Sequence, residues 1–189
     1  MVRYMLLGVL LAAIWAFNLR WIVHAQRQGI RCEMFMHLGL GLFLTMVAVE
    51  LTLGSAVPWV RLNSGAARVG GLILFLPSGA LLAAAILALQ RSGRARSFTE
   101  SERLVTAGVF RLLRQPMTLG IALWSLGLVL LFQSLFSLCL AAATAALMWL
   151  AARTEMEYNR RKFGQTYTEY ARTVPMWNIF KSLLGRCDS

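Results

Sequence analysis

Charged side chains are scarce in this chain of 189 residues, and acidic ones are scarcest: 8 Asp and Glu stand against 19 Lys and Arg. Together they make up 14% of the sequence, against roughly 25% in an ordinary soluble domain. Hydrophobic residues make up 58%, and the mean hydropathy is +0.63. This balance excludes an ordinary water-soluble domain. Because the apolar runs are continuous rather than alternating, we predict an all-α integral membrane helical bundle. We expect about five transmembrane helices followed by a cytoplasmic C-terminal amphipathic helix.

Cysteine and histidine are also few. The three cysteines, Cys32, Cys139 and Cys187, are scattered along the chain and support neither a disulfide framework nor a zinc site. The two histidines form no metal-binding constellation with other residues. We therefore predict no metal centre.

Five apolar runs mark the candidate membrane spans. In order they cover residues 5–23, 34 to about 59, 69–89, 117–132 and 135–152. Several lie near or below the roughly 20 residues that comfortably cross a bilayer. We expect one membrane domain over residues 1–189, built from three N-terminal spans (1–90), a basic cytoplasmic loop with an Arg-Gln-Pro turn (91–116), a helical hairpin (117–152) and a cytoplasmic tail (153–189).

The basic residues outside these runs are distributed very unequally. Sixteen basic residues, counting Arg20 near the inner end of the first run, fall on the side that holds the basic loop and the tail, whereas only Arg3, Arg61 and Arg68 fall on the other. The positive-inside rule places the richer side in the cytoplasm, with the N-terminus outside. We expect a bacterial inner-membrane protein whose net charge of +11 faces anionic lipid headgroups. Nucleic acid is the weaker interpretation, because no nucleic-acid-binding motif accompanies these charges.

Two polar segments flank the predicted hairpin. Residues 104–120 read LVTAGVFRLLRQPMTLG, and residues 153–175 read RTEMEYNRRKFGQTYTEYARTVP. Because a hairpin returns the chain to the side that it left, both segments end at one membrane face. Pro116 keeps the turn before it extended as the fourth span begins. The sequence therefore predicts one cytoplasmic site built from both segments.

Together these segments resemble isoprenylcysteine carboxyl methyltransferases and bacterial phospholipid N-methyltransferases. The first resembles their L-V-T-x-G-x-Y-R-x-x-R-H-P-x-Y-x-G, and the second their E-E-x-x-L-x-x-x-F-G-x-x-Y-x-x-Y-x-x-x-V-P. The matching residues are Leu104, Val105, Thr106, Gly108, Arg111, Arg114, Pro116, Gly120, Glu155, Phe163, Gly164, Tyr167, Tyr170, Val174 and Pro175. The resemblance implies a small integral membrane methyltransferase that binds S-adenosylmethionine through the segments after the hairpin and takes a lipid-like acceptor from the bilayer.

The resemblance also implies roles for individual residues. Arg114 and Glu155 are the expected catalytic residues, because arginine suits the cofactor's carboxylate and a carboxylate suits its ribose hydroxyls or amino group. Methyl transfer from a sulfonium depends mainly on alignment and exclusion of water. Aromatic rings suit the adenine and the sulfonium charge. The expected cofactor-binding residues are Gln115, Pro116, Thr118, Gly120, Phe163, Tyr167 and Tyr170.

Three positions depart from the family pattern. Gln115 replaces His, Thr118 replaces Tyr, and Met156 replaces the second of the paired glutamates. Gln115 still forms hydrogen bonds but carries no charge. Glu157 lies about 200° around a helix from Glu155 and is interpreted as part of a surface ion pair.

These departures leave two alternatives open. One is a non-enzymatic membrane protein that keeps the fold. The other is an NADPH-dependent enzyme similar to sterol reductases, many of which carry an acidic residue where this chain has Ile121. If only the missing contacts weaken a methyltransferase site, Gln115→His combined with Thr118→Tyr is expected to tighten cofactor binding.

Overall fold

The computed structural model describes residues 1–54, 61–92 and 103–178. These residues form five α helices and one short 3-10 helix. They are α1 (Val2–Gln28), α2 (Arg31–Leu53), α3 (Gly65–Ser92), the 3-10 helix Gly108–Arg111, α4 (Pro116–Phe132) and α5 (Leu135–Thr173). The predicted all-α membrane bundle is confirmed. Residues 93–102 of the basic loop and the tail after residue 178 lie outside the described residues.

The helix lengths suit a membrane. Among the described residues, α1, α2, α3 and α5 are long and apolar enough to cross one. The 17 residues of α4 lie at the short end of the roughly 17 to 25 that span a bilayer. The 39 residues of α5 exceed that need, so its charged second half extends beyond the membrane.

Two boundaries differ from the sequence prediction. The second helix ends at Leu53 rather than near residue 59, because Gly54 weakens the helix there and Pro58 follows. Residues 55–60 lie outside the described residues. The predicted amphipathic helix of the charged tail is present, and it continues the fifth span with no break at residue 153, because residues 153–163 contain neither glycine nor proline.

The hairpin between α4 and α5 is tight and fixed by side chains. Gln133 adopts a left-handed conformation (φ 54°), and the Ser134 hydroxyl caps α5 by accepting from the Ser137 amide at 3.0 Å. The Gln133 side chain accepts from the Ser64 N–H and donates to the Ser64 carbonyl, both at 2.8 Å. These contacts fasten the hairpin to the start of α3.

A buried carboxylate strengthens the same end of the bundle. Glu50 is 5% exposed and accepts from Arg61 at 2.6 Å and from the Ser134 hydroxyl. Arg61 also donates to the carbonyl of Phe132 at 2.9 Å. A carboxylate within a membrane helix is costly unless it is paired, and this one joins α2 to the hairpin.

Helix packing brings the polar segments together at the opposite end. The helix α2 packs on α1 and α5, and α3 packs on α4. Met46, Ala141, Met148 and Ala151 are fully buried between the central helices. As a result, the start of α2, the end of α3, the start of α4 and the charged half of α5 meet at one end of the bundle, which we call the polar end.

Candidate active site

A cleft opens at the polar end between the two sequence motifs. Its polar wall is formed by Arg114, Gln115, Glu155, Asn159, Tyr167 and Tyr170. Its apolar wall comes from α2, the end of α3 and the first motif, with Met36, Leu89, Leu104, Val105 and Met117. Phe110, Pro116 and Phe163 complete the lining. The predicted meeting of the two motifs is therefore seen in the structure.

Backbone hydrogen bonds hold the Arg-Gln-Pro turn against the end of the second motif. The Arg114 N–H donates to the carbonyl of Pro175 at 3.0 Å, and the Gln115 N–H donates to that of Met176 at 3.4 Å. The helix α5 ends at Thr173, before the proline, so the chain after it is extended and its carbonyls remain available. This pairing explains physically why the two motifs act as one unit.

Two tyrosines of α5 fasten the same junction. The Tyr170 hydroxyl donates to the carbonyl of Phe110 at 2.5 Å. The Tyr167 ring packs edge-on against Tyr170, with ring centres 6.1 Å apart, and only 2% of Tyr167 is exposed. Burial raises the pKa of Tyr167, against the opposing positive charge of Arg114. Both tyrosines therefore stay neutral near pH 7.

Gly164 turns this aromatic segment toward the cleft. Its backbone (φ 58°, ψ −129°) interrupts the helical conformation of α5 between Phe163 and Tyr167. A Cβ atom there would meet nothing within 4 Å, so the glycine is required by the backbone conformation and not by crowding. L-residues with a side chain rarely adopt this conformation.

We expect Gly164→Ala to loosen the end of α5 from the Arg-Gln-Pro turn. Forcing alanine into this conformation costs about 1 to 3 kcal/mol. Limited trypsin digestion of the detergent-solubilised protein should therefore cut faster within residues 160–172. Gly8→Ala is the matched control, since Gly8 lies in α1 with open space around it. Equal digestion of both variants would contradict this account of the kink.

Glu155 is the acidic residue of the cleft. Its carboxylate accepts from the Asn159 side chain at 3.4 Å and interacts with the side chain of Gln115. The pKa of Glu155 is raised to about 7, mainly by burial and to a smaller extent by the carboxylate of Glu33 on α2, while hydrogen bonds from Gln115 and Asn159 oppose the shift. Glu155 therefore lies near the midpoint of its titration at neutral pH.

Two buried polar atoms of the cleft make no hydrogen bond of good geometry, although the Arg114 guanidinium and the Tyr167 hydroxyl interact with each other. The two atoms are Nε of Arg114 and the hydroxyl oxygen of Tyr167. Among the described residues only one other buried side-chain atom shares this state, Nε1 of Trp124. Buried polar groups are normally paired, and an unpaired one costs about 1 to 3 kcal/mol. A polar ligand bound in the cleft would satisfy both atoms.

The cleft is narrow. It encloses about 50 Å³, whereas sites that bury a drug-sized ligand usually measure roughly 300 to 1,000 Å³. Its lining side chains must therefore move apart before a nucleoside-sized ligand enters fully.

Seven of the nine residues predicted for the site line the cleft, and two lie behind it. Thr118 is 0% exposed; its hydroxyl donates to the carbonyl of Gln115 and accepts from Nε1 of Trp177, both at 3.2 Å. Gly120 lies where α4 approaches α3, and a Cβ atom there would come within 3.3 Å of Leu82 and Ser78. The structure thus gives Thr118 and Gly120 packing contacts rather than a place in the cleft wall.

Several residues that line the cleft or act on Glu155 were not predicted from the sequence. Asn159 follows Glu155 by one helical turn, and this spacing would have indicated it. Met36 and Glu33 lie on α2, far from both motifs, and only the packing of α2 on α5 brings them near. Glu157 is exposed on another face of α5 and does not line the cleft, and its surface ion pair stays a prediction.

Comparisons with known proteins define the family. The phospholipid methyltransferase family model matches residues 66–166, which is more than half of the chain. The chain belongs to this family. Protein-S-isoprenylcysteine O-methyltransferase B of Arabidopsis thaliana is 36% identical over 92 residues, covering 42% of this chain and 45% of that protein. Protein-S-isoprenylcysteine O-methyltransferase A of the same plant is 32% identical over 111 residues, covering 55% of each.

The chain spans about half the length of these curated relatives. No solved structure matches it.

Proposed function

We propose that this chain is a methyltransferase that uses S-adenosylmethionine and acts on a lipophilic acceptor at the membrane surface. The observation that carries the proposal is the convergence of Arg114, Glu155 and Tyr167 on one cleft, in which two buried polar atoms make no hydrogen bond of good geometry to the protein. Membership of the phospholipid methyltransferase family supports it.

The residues of the polar wall fit the cofactor. When bound, S-adenosylmethionine supplies an activated methyl group on a sulfonium. The Arg114 guanidinium would hold the cofactor's carboxylate through charge-assisted hydrogen bonds, and Glu155 would pair with its amino group. Phe163 and Tyr167 would face the adenine or the sulfonium charge. Apolar neighbours exclude water from the reacting atoms.

The apolar wall fits the acceptor. Met36 and Leu89 come from membrane helices, and Leu104 and Val105 continue the same surface at the polar end. A lipid chain lying on this surface would present its headgroup to the polar wall. An isoprenylcysteine carboxyl group or a phospholipid amine is the type of acceptor we propose, in keeping with the two activities named among its relatives.

Cofactor titration separates the three interpretations of the sequence. Calorimetry on the purified full chain should show saturable binding of S-adenosylmethionine and none of NADPH. Ile121, where many reductases carry an acid, is buried in the core at 6% exposure. Binding of NADPH alone would favour the reductase, and binding of neither would favour a non-enzymatic membrane protein.

The raised pKa of Glu155 predicts a pH dependence for this binding. A cationic amino group at Glu155 favours the ionised carboxylate, so a proton must be released when the cofactor binds below about pH 7. Affinity should therefore be constant above pH 7 and fall by up to about tenfold per pH unit below it. Calorimetry between pH 5.5 and 7.5 measures this slope. Glu155→Gln should abolish it, and Glu157→Gln should retain it; a slope that survives in Glu155→Gln contradicts the assignment.

We also propose that the polar end faces the cytoplasm of a bacterial cell, with the N-terminus outside. The sixteen-to-three distribution of basic residues supports this orientation. Reporter fusions at the C-terminus should report the cytoplasm, and fusions between Arg61 and Arg68 the opposite side. A periplasmic C-terminal reporter would contradict the orientation.

A further inference from the structure

A second pocket lies at the polar end, on another face of α5 from the cleft. It encloses about 330 Å³ between the turn that joins α1 to α2 and the charged half of α5. Arg31 and Cys32 line it from α2, and Thr154, Tyr158 and Arg161 line it from α5. The cleft uses Glu155, Asn159 and Phe163 of the same helix, so the two pockets share α5 without sharing a residue.

The local sequence explains how this pocket forms. Gly29 adopts φ 72° and ends α1, and α2 begins only two residues later at Arg31. The first N–H groups of α2 have no acceptor within their own helix and carry a partial positive charge. On α5, Thr154, Tyr158 and Arg161 follow one another at spacings of four and three and therefore lie on one face.

The charge of the pocket and its level in the membrane indicate one class of ligand. Its lining carries two arginines, from parts of the chain 130 positions apart, against one carboxylate, that of Glu157. Thr154 lies two positions after the last residue of the apolar run 135–152, so the pocket lies at the level of the lipid headgroups.

We propose that this pocket binds the phosphate of an anionic phospholipid headgroup. Two guanidinium groups match phosphate oxygens in geometry and charge, and basic pockets between membrane helices at headgroup level bind such lipids. A lipid held there would join the α1–α2 turn to the segment of α5 that also carries Glu155. This site is separate from the acceptor site and does not depend on the proposed methyltransferase activity.

Native mass spectrometry of the full chain in detergent tests the proposal with phosphatidylglycerol as the probe and phosphatidylcholine as the neutral comparison. Arg31→Gln combined with Arg161→Gln should weaken phosphatidylglycerol binding by at least about tenfold. Arg27→Gln combined with Arg160→Gln removes the same charge from the same end of the bundle, at positions outside the lining of the pocket. This control should change the affinity by less than about twofold. Circular dichroism and the midpoint of thermal unfolding verify that all variants remain folded.

Two results would overturn the proposal. Equal losses in both double variants would mean that phosphatidylglycerol is attracted by the whole basic face. Phosphatidylcholine carries the same phosphate together with a choline cation, so equal binding of the two lipids in the native chain would mean that the net negative charge of the proposed anionic lipid is not recognised. A competition arm distinguishes the source of the phosphate: inorganic phosphate at millimolar concentration should fail to displace the lipid, and full displacement would overturn the assignment to a lipid in favour of a soluble phosphate.

Discussion

Arg114→Ala is expected to weaken binding of S-adenosylmethionine by about a hundredfold or more. Removal of one member of a buried charged pair commonly costs about 2 to 5 kcal/mol, which corresponds to one and a half to four powers of ten in affinity. Nε of Arg114 is buried in the cleft and makes no hydrogen bond of good geometry to the protein, so its loss removes a contact that the protein does not replace. Calorimetry with the purified variant measures the effect.

Glu155→Ala should produce a loss of similar size at pH 7.5, where the carboxylate is largely ionised. Arg111→Ala and Glu157→Ala are matched controls, because both residues are exposed and neither lines the cleft. The controls should bind within about threefold of the native chain. An unchanged affinity in Arg114→Ala and Glu155→Ala would place the cofactor elsewhere, even if the chain proves to be a methyltransferase.

Thr118→Tyr is expected to destabilise the fold, by about 1 to 3 kcal/mol through overpacking. Thr118 is 0% exposed, and Trp177 donates to its hydroxyl at 3.2 Å, so no space remains for a ring. The sequence alone led us to expect the opposite for Gln115→His with Thr118→Tyr, namely tighter cofactor binding. The structure changes that expectation because Trp177 occupies the space beside Thr118.

A double-mutant cycle tests this account of Trp177. Thr118→Tyr and Trp177→Ala should each lower the midpoint of thermal unfolding in detergent. Combined, they should cost less than the sum of the two single changes, by about 0.5 to 3 kcal/mol, because the new ring fills the space that Trp177 leaves. Thr118→Ser, which keeps the hydroxyl, is the conservative control. Simple additivity would show that the two side chains do not compete for space.

The sequence predicts most of the fold because its signals are local. Continuous apolar runs mark the helices, and the dipeptide Gln133-Ser134 marks the hairpin. The sequence did not show that α5 runs without a break from the fifth span into the charged tail, because an apolar run ends where charged residues begin. A helix ends only where the backbone requires it. Here the backbone turns at Gly164, and the helix ends at Thr173.

The site was predictable only in part, for a similar reason. Motif residues such as Arg114 and Glu155 reach the cleft because the backbone of one motif pairs with that of the other. Nothing in the sequence around Arg114 distinguishes it from Thr118 and Gly120, which belong to the same first motif but make packing contacts behind the cleft. The nearby carboxylate of Glu33 depends on how α2 packs against α5, a contact across more than a hundred residues.

Transfer of a labelled methyl group tests the central claim most directly. The full chain, reconstituted into vesicles of bacterial lipid with an added isoprenylcysteine analogue, would be incubated with methyl-tritiated S-adenosylmethionine, and the label in the organic phase would be counted. We predict time-dependent label in a lipophilic product with the native chain and with Arg111→Ala, reduced about a hundredfold or more in Arg114→Ala and Glu155→Ala. Absence of extractable label with the native chain, or equal label in all four proteins, would contradict the account.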